Sequence, residues 1–90
     1  MYKVVYEPKA LKELKKLDKQ VARKIVKWVD ENLANTDNPR MFGKELTANR
    51  SGEWSYRLYD YRILANIVDD VLIIYIFKIG HRKEVYLELK

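Results

Sequence analysis

The segment EWSYRLYDYRILANI, residues 53–67, alternates polar and apolar side chains on both sides of Tyr59-Asp60. A period of two is typical of β-strands that bury one face. We therefore predict a hairpin whose two-residue loop is Tyr59-Asp60. In that register Arg57 lies directly opposite Arg62, and two like charges so placed destabilise a sheet unless something offsets their repulsion.

The pattern on either side of this hairpin predicts the remaining elements. A β-branched and aromatic strand opens the chain, and two amphipathic helices follow, the second with Asp18 as its N-cap. Asn38-Pro39 is expected to end the second helix, and the residues that follow it are expected to tuck into the edge of the core: Met41, Phe42 and Leu46. We predict an irregular region at 35–52, strands at 2–6, 54–58, 61–68 and 71–79, a tight turn at Asp69-Asp70, and a short helix or last strand at 84–89.

This order of elements, β-α-α-β-β-β plus a short C-terminal element, predicts an α+β fold. An antiparallel helical hairpin is expected to pack on one face of a largely antiparallel sheet. With 90 residues the chain can hold one hydrophobic core, so residues 1–90 are expected to form a single domain.

The composition excludes several kinds of site. The chain has no cysteine, which excludes disulfides, thiolate metal ligands and a cysteine nucleophile, and its single histidine excludes a histidine-rich metal centre. No cofactor is expected. Charged residues begin at Lys3, and the longest apolar run, residues 71–77, is far shorter than a membrane span. We therefore expect a cytoplasmic protein.

Basic residues are concentrated in the predicted helical hairpin. The chain carries a net charge of +5, and between Lys9 and Lys27 the only acidic residues are Glu13 and Asp18. Such a stripe attracts polyanions, of which nucleic acid is the commonest; a solvated helix face is the alternative interpretation. The candidate RNA- or ribosome-binding residues are Lys9, Lys12, Lys15, Lys16, Lys19, Arg23 and Lys27.

A second basic cluster is predicted at one end of the sheet. If both turns are correct, the end of the last strand returns to the Arg57/Arg62 pair, so several polar side chains are expected to converge there: Arg57, Arg62, His81, Arg82 and Tyr86. A phosphate would relieve the repulsion, because guanidinium groups match its oxygens bidentately. The alternative is that surface carboxylates neutralise the arginines, with these candidates: Glu53, Asp60 and Glu84.

The same residue types suit cleavage of RNA without a metal ion. A ribose 2′-hydroxyl can attack its own phosphate if a base takes its proton, cations stabilise the phosphorane, and an acid protonates the leaving 5′-oxygen. Arginine supplies charge stabilisation, and His81 is a candidate base or acid. Tyr86 can donate a proton or stack on a base.

Several segments, in this order, resemble one family. They are YKVVYEPKALKELKKL at residues 2–17, WSYRLYDYRI at 54–63, IVDDVLIIYI at 67–76 and IGHRKEVY at 79–86. Together they resemble the RelE/ParE superfamily of bacterial toxins, and are most similar to its RelE branch. The resemblance covers nearly the whole chain.

The resemblance implies a toxin of a type II toxin–antitoxin system that enters the ribosomal A site and cuts messenger RNA by attack of the 2′-hydroxyl. It implies a cognate antitoxin as partner, and a complex that binds its own operator DNA. By the same likeness, Arg62 contacts the scissile phosphate, Arg82 stabilises the transition state, and Tyr86 stacks on or activates the nucleotide. Arg57 matches one of two strand lysines of the RelE branch.

Two positions depart from that pattern. Ser55 stands where the other strand lysine is found, and His81 replaces a basic residue after the glycine. We therefore place proton transfer on His81 or Tyr86. Three other interpretations stay open on the same fold: a ParE-type toxin that inhibits DNA gyrase without chemistry of its own, a nucleic-acid-binding domain without toxicity, and a toxin with a decayed site.

Overall fold

The computed structural model describes residues 1–89, with side chains for residues 1–47 and 49–86. Its strands are β1 (Lys3–Tyr6), β2 (Gly43–Glu45), β3 (Glu53–Leu58), β4 (Tyr61–Val68) and β5 (Ile73–His81). Its helices are α1 (Pro8–Lys16), α2 (Lys19–Asn32) and α3 (Arg82–Leu89), and short 3₁₀ turns lie at Ala48–Arg50 and Asp69–Val71.

The strands form one five-stranded sheet in the order β1-β5-β4-β3-β2. β1 runs parallel to β5, and every other pair is antiparallel. The hairpin of β3 and β4 has the predicted register, with Arg57 opposite Arg62. The largely antiparallel sheet and the α+β class are therefore confirmed.

The two N-terminal helices pack on one face of the sheet. Pro8 begins α1, and the Asp18 carboxylate caps α2 by accepting hydrogen bonds from the Gln20 and Val21 amides at 3.0 and 3.4 Å. The apolar stripes of both helices are buried against the alternate residues of β3, β4 and β5, and the resulting core includes Ala10, Leu14, Ile25, Val29, Tyr56, Ile63, Ala65 and Ile76. None of the helices in the described part of the chain combines the length and the apolar composition that a membrane span requires.

The C-terminal element is a helix, α3, and it covers the opposite face of the sheet. Ile63 and Ala65 point into the core, so Arg62 and Leu64, which alternate with them, point to the other side. The partner of Arg62 in the register is Gly80, and a Cβ on Gly80 would lie 3.4 Å from Cγ2 of the fully buried Val85. α3 is therefore anchored by Val85 beside Arg62.

Three expectations about the connections were wrong. α2 ends at Asn32 rather than at Asn38-Pro39, because the chain turns through Asn35 with φ 63°. The region expected to be irregular contains the edge strand β2. The tight turn at Asp69-Asp70 is a 3₁₀ turn closed by Leu72 at φ 55°, so β5 spans residues 73–81 instead of 71–79.

The expectation for the core edge was wrong for Met41 and Phe42. Met41 and Phe42 are 68% and 52% exposed, although Leu46 is half-buried. The Phe42 ring lies edge-on to Trp28, with centroids 6.3 Å apart. The segment runs outward because Tyr56 occupies the core beneath it and donates its hydroxyl hydrogen bond to the Pro39 carbonyl.

Two buried phenols make the protein sensitive to alkaline pH. Burial raises the pKa of both Tyr6 and Tyr56 from 10.0 to about 12. A raised pKa means that the folded state favours the neutral phenol. This stabilisation is fully present below pH 10 and is lost as the pH rises through about 12.

We expect Tyr56→Phe and Tyr6→Phe to differ at neutral pH. Tyr56→Phe should lower the free energy of unfolding by about 1 kcal/mol because it removes the bond to Pro39. Tyr6→Phe should leave it unchanged or raise it, since the buried Tyr6 hydroxyl has no partner among the described residues. Urea unfolding near pH 7 and near pH 11 measures this. Equal losses at neutral pH, or an alkaline decline in the double variant as large as that of the wild type, would contradict it.

Candidate active site

A cleft of about 560 Å³ lies on the face of the sheet opposite the helical hairpin. Its floor is the outward face of β3 and β4, and its sides are the segment from β2 onward and α3. We call it the arginine cleft; it is lined by Phe42, Gly43, Lys44, Glu45, Leu46, Thr47, Ser55, Arg57, Arg62 and Tyr86. Among the predicted site residues, the structure thus brings Arg57, Arg62 and Tyr86 together.

Arg62 is held rigidly in the floor of the arginine cleft. It is only 7% exposed. Its Nη1 donates to the Tyr61 and Tyr59 carbonyls at 3.1 and 3.4 Å, and its Nε donates to the Tyr86 hydroxyl at 3.2 Å. A buried guanidinium fixed in this way is pre-organised, so it loses little side-chain entropy when it binds an anion.

Arg57 shares a backbone acceptor with Arg62. Its Nε donates to the Tyr59 carbonyl at 3.4 Å, the same oxygen that Arg62 contacts. Tyr59 is at φ 54°, a left-handed conformation that is strained for a residue with a bulky side chain. The strained turn therefore directs one carbonyl dipole at two arginines, which offsets part of their repulsion without neutralising either charge.

No carboxylate in the described residues lies within 4 Å of the arginines at this end of the sheet. Glu53 pairs instead with Arg50 at 2.8 Å. Glu45, which also lines the arginine cleft, accepts a hydrogen bond from the Gly52 amide at 3.1 Å. The alternative that surface carboxylates neutralise Arg57 and Arg62 is therefore wrong for the described part of the chain. A half-enclosed site with unneutralised guanidinium groups is suited to an anion.

Tyr86 reaches the arginine cleft from the second turn of α3. Val85 is buried and anchors the helix, while Tyr86 itself is 47% exposed. The Arg62 guanidinium lies 5.6 Å from the centroid of the Tyr86 ring and donates a hydrogen bond to the Tyr86 hydroxyl oxygen. The phenol keeps its own proton free to donate, and one ring face can accept a nucleobase.

His81 does not join this cluster. It pairs with Tyr61, whose ring packs against the core on the side of the helical hairpin, and the two rings meet edge to face at 5.7 Å. Its Nδ1 accepts the Lys83 amide at 3.2 Å. The expected convergence of His81 with the arginines is therefore wrong: strand alternation sends its side chain to the face opposite Arg62.

Arg82 is the first residue of α3, beside the turn of the β3–β4 hairpin. Its backbone amide donates to the Asp60 carbonyl at 2.7 Å, which confirms that the end of β5 returns to this turn. The side chain is exposed, and the described walls of the arginine cleft do not include it. Its part in transition-state stabilisation stays a prediction.

The candidate RNA-binding residues of α1 and α2 are all exposed. Lys24, on the same helices, lies 5.6 Å from the centroid of the Tyr59 ring, so the basic helices reach the hairpin turn beside the arginine cleft. Lys27 also lies 4.0 Å from Glu31, an exposed pair that leaves the stripe strongly basic.

Sequence reasoning missed Lys44. It lies on β2 directly opposite Ser55 in the strand register, and both residues line the arginine cleft. A three-residue strand is too short to give a periodic signal, which is why this region was expected to be irregular. No cluster of three or more histidine, aspartate or glutamate side chains suited to a metal ion occurs in the described residues.

One known protein family matches nearly the whole sequence. Residues 4–86 match the sequence model of a family described as the ParE toxin of type II toxin–antitoxin systems, parDE. No curated protein sequence is a significant match.

Several solved structures share the fold of this chain. A chain of the toxin–antitoxin complex RelBE2 from Mycobacterium tuberculosis is 28% identical with a TM-score of 0.82, covering 90% of this chain and 98% of that one. The isolated Escherichia coli RelE toxin is 26% identical with a TM-score of 0.73, covering 99% and 95%. A chain of the archaeal RelE–RelB complex from Pyrococcus horikoshii is 25% identical with a TM-score of 0.67, covering 90% and 94%.

The predicted resemblance to the RelE/ParE superfamily is thereby confirmed by the sequence model and by the solved structures alike. The chain belongs to the ParE toxin family of type II toxin–antitoxin systems.

Proposed function

We propose that this toxin is an endoribonuclease that cleaves messenger RNA in the ribosomal A site. The observation that carries the proposal is the arginine cleft, where Arg57, Arg62 and Tyr86 converge with no carboxylate within 4 Å of either guanidinium among the described residues. A surface that only bound a partner would gain little from a buried arginine bonded to a half-exposed tyrosine. A site for a phosphodiester requires both charge and a proton donor.

The cleavage step follows from these groups. The ribose 2′-oxygen attacks the adjacent phosphorus, the P–O5′ bond breaks, and the products are a 2′,3′-cyclic phosphate and a 5′-hydroxyl end. Arg57 and Arg62 stabilise the negative charge that develops on the non-bridging oxygens. The Tyr86 hydroxyl donates its proton toward the leaving 5′-oxygen, and solvent takes the proton of the 2′-hydroxyl.

The basic helices give this nuclease its ribosome dependence. Exposed lysines on α1 and α2 suit sequence-independent contacts to ribosomal RNA phosphates, which hold the toxin in position without reading sequence. The arginine cleft lies on the other side of the sheet and is thus left open to messenger RNA. We place the toxin in the cytoplasm, where both occur.

We further propose a cognate antitoxin as the partner that restrains the toxin. A similar chain from M. tuberculosis was solved in a toxin–antitoxin complex, and one from P. horikoshii in a RelE–RelB complex. An antitoxin segment with acidic side chains would neutralise the arginine cleft. The resulting complex is expected to bind its own operator DNA.

A second candidate function has its own support. The matching sequence model is that of ParE toxins, and a ParE-type toxin would inhibit DNA gyrase without cleaving RNA. The two functions make opposite predictions for the arginine cleft: the nuclease requires its charges for a chemical step, whereas an inhibitor uses surface contacts alone.

Expression in cells with mapping of transcript 5′ ends tests the proposal. We expect new 5′-hydroxyl ends within translated codons, which disappear with Arg62→Ala and when translation is blocked before toxin induction. Double-strand DNA breaks with intact messages would support gyrase inhibition instead. Cleavage of naked RNA as fast as ribosome-bound RNA would contradict ribosome dependence.

A further inference from the structure

We propose that Lys44 is a third cationic catalytic residue of the arginine cleft. It would contact a non-bridging oxygen of the scissile phosphate and supply the charge that Ser55 cannot supply. This inference rests on the proposed nuclease function and extends it to a residue on a different strand.

The strand register places Lys44 at the required position. Its Cα partner is Ser55 on β3, and cross-strand partners have Cβ atoms about 5 Å apart on the same face. Arg57 lies two residues along β3 from Ser55 and is thus a diagonal neighbour of Lys44. The Cα atoms of such neighbours are about 7–8 Å apart. That separation is short enough for one phosphate group to lie between an ammonium and a guanidinium.

The position of β2 is fixed by tight packing. Gly43 precedes Lys44 and pairs with Tyr56, and a Cβ on Gly43 would approach Cε1 of Tyr56 to 2.8 Å. Only glycine permits this close approach of β2 to the buried ring. The backbone of β2 at Lys44 is therefore held close to the core.

The charge environment leaves the Lys44 ammonium available. No carboxylate of the described residues lies within 4 Å of it; the adjacent Glu45 turns to the Gly52 amide at 3.1 Å. A flexible lysine at the rim can follow the phosphorane as charge develops, while the buried Arg62 stays fixed. The three cations would then surround the phosphate from β2, β3 and β4.

Single-turnover cleavage of ribosome-bound messenger RNA by purified variants tests the assignment. We expect Lys44→Ala to lower the cleavage rate about a hundredfold, and Lys44→Arg to keep it within about tenfold of the wild type. Adding Ser55→Lys to Lys44→Ala should restore at least tenfold, because the new ammonium lies across the same strand pair. Lys3→Ala removes a lysine from β1, the opposite edge of the sheet, and should leave the rate unchanged.

Thermal unfolding of each variant separates loss of fold from loss of charge. A Lys44→Ala rate within threefold of the wild type would overturn the assignment, as would equal losses for Lys44→Arg and Lys44→Ala or no recovery in the double variant. If the wild type itself does not cleave while Lys44→Ala folds normally, the proposed nuclease function fails first, a result distinct from a nuclease that is indifferent to Lys44.

Discussion

Arg62→Ala is expected to lower the rate of RNA cleavage by about a hundredfold to a thousandfold. Removing one pre-organised donor to a developing oxyanion costs about 3 kcal/mol of transition-state stabilisation. Here the substitution also removes the Nε bond that holds the Tyr86 hydroxyl at 3.2 Å. The charge and the proton donor are therefore lost together, so the effect should fall on kcat more than on binding.

Two further variants separate these contributions. Tyr86→Phe keeps the ring beside Arg62 but removes the hydroxyl, and should show only the loss of proton transfer. Arg50→Ala is a matched control, because Arg50 pairs with Glu53 at 2.8 Å and does not line the arginine cleft. Single-turnover rates on programmed ribosomes measure all three; a rate for Arg62→Ala equal to that of Arg50→Ala would contradict the assigned role.

Glu13→Ala is expected to destabilise the fold by about 3 kcal/mol, because it breaks a partly buried ion pair. β1 pairs with β5 from Ile73 to Ile76, so the part of β5 that follows Ile76 has no strand neighbour on that side. Glu13 of α1 replaces that neighbour. Its two carboxylate oxygens accept hydrogen bonds from the Lys78 ammonium at 2.8 Å and from the Ile79 amide at 3.1 Å.

Burial makes this interaction costly to remove. Lys78 is only 6% exposed, and the alanine variant would leave its charge and the Ile79 amide without these acceptors. Glu31→Ala is the matched control, since Glu31 and Lys27 form an exposed i,i+4 pair at 4.0 Å whose loss should cost at most about 0.5 kcal/mol. Urea unfolding of both variants measures the difference, and equal losses would contradict a structural role for Glu13.

The hairpin and the helices were predictable because their signals are local. Alternation on both sides of Tyr59-Asp60 set the register, and the spacing of apolar residues with Asp18 as N-cap set the helices. The site was predictable where it depended on that register: Arg57 and Arg62 were placed correctly. Tyr86 was expected there from the turns and from the family resemblance, and only the structure shows Val85 anchoring its helix.

The rest of the site depends on contacts that no local pattern encodes. Lys44 was missed because β2 exists only through its pairing with β3. His81 was placed on the wrong side because β5 continues past residue 79 through Gly80, so that His81 pairs with Tyr61 and alternates away from Arg62. The choice between RNA cleavage and gyrase inhibition is not encoded in the fold, because both activities use it.

Cleavage of a ribosome-bound messenger RNA carrying a single 2′-deoxynucleotide at the cut site tests whether the 2′-hydroxyl is the nucleophile. We expect wild-type toxin to leave that linkage intact while cutting the all-ribose control to a 2′,3′-cyclic phosphate and a 5′-hydroxyl end. Equal cleavage of both messages would show that the 2′-hydroxyl is not the nucleophile, and would contradict the chemistry assigned to the arginine cleft.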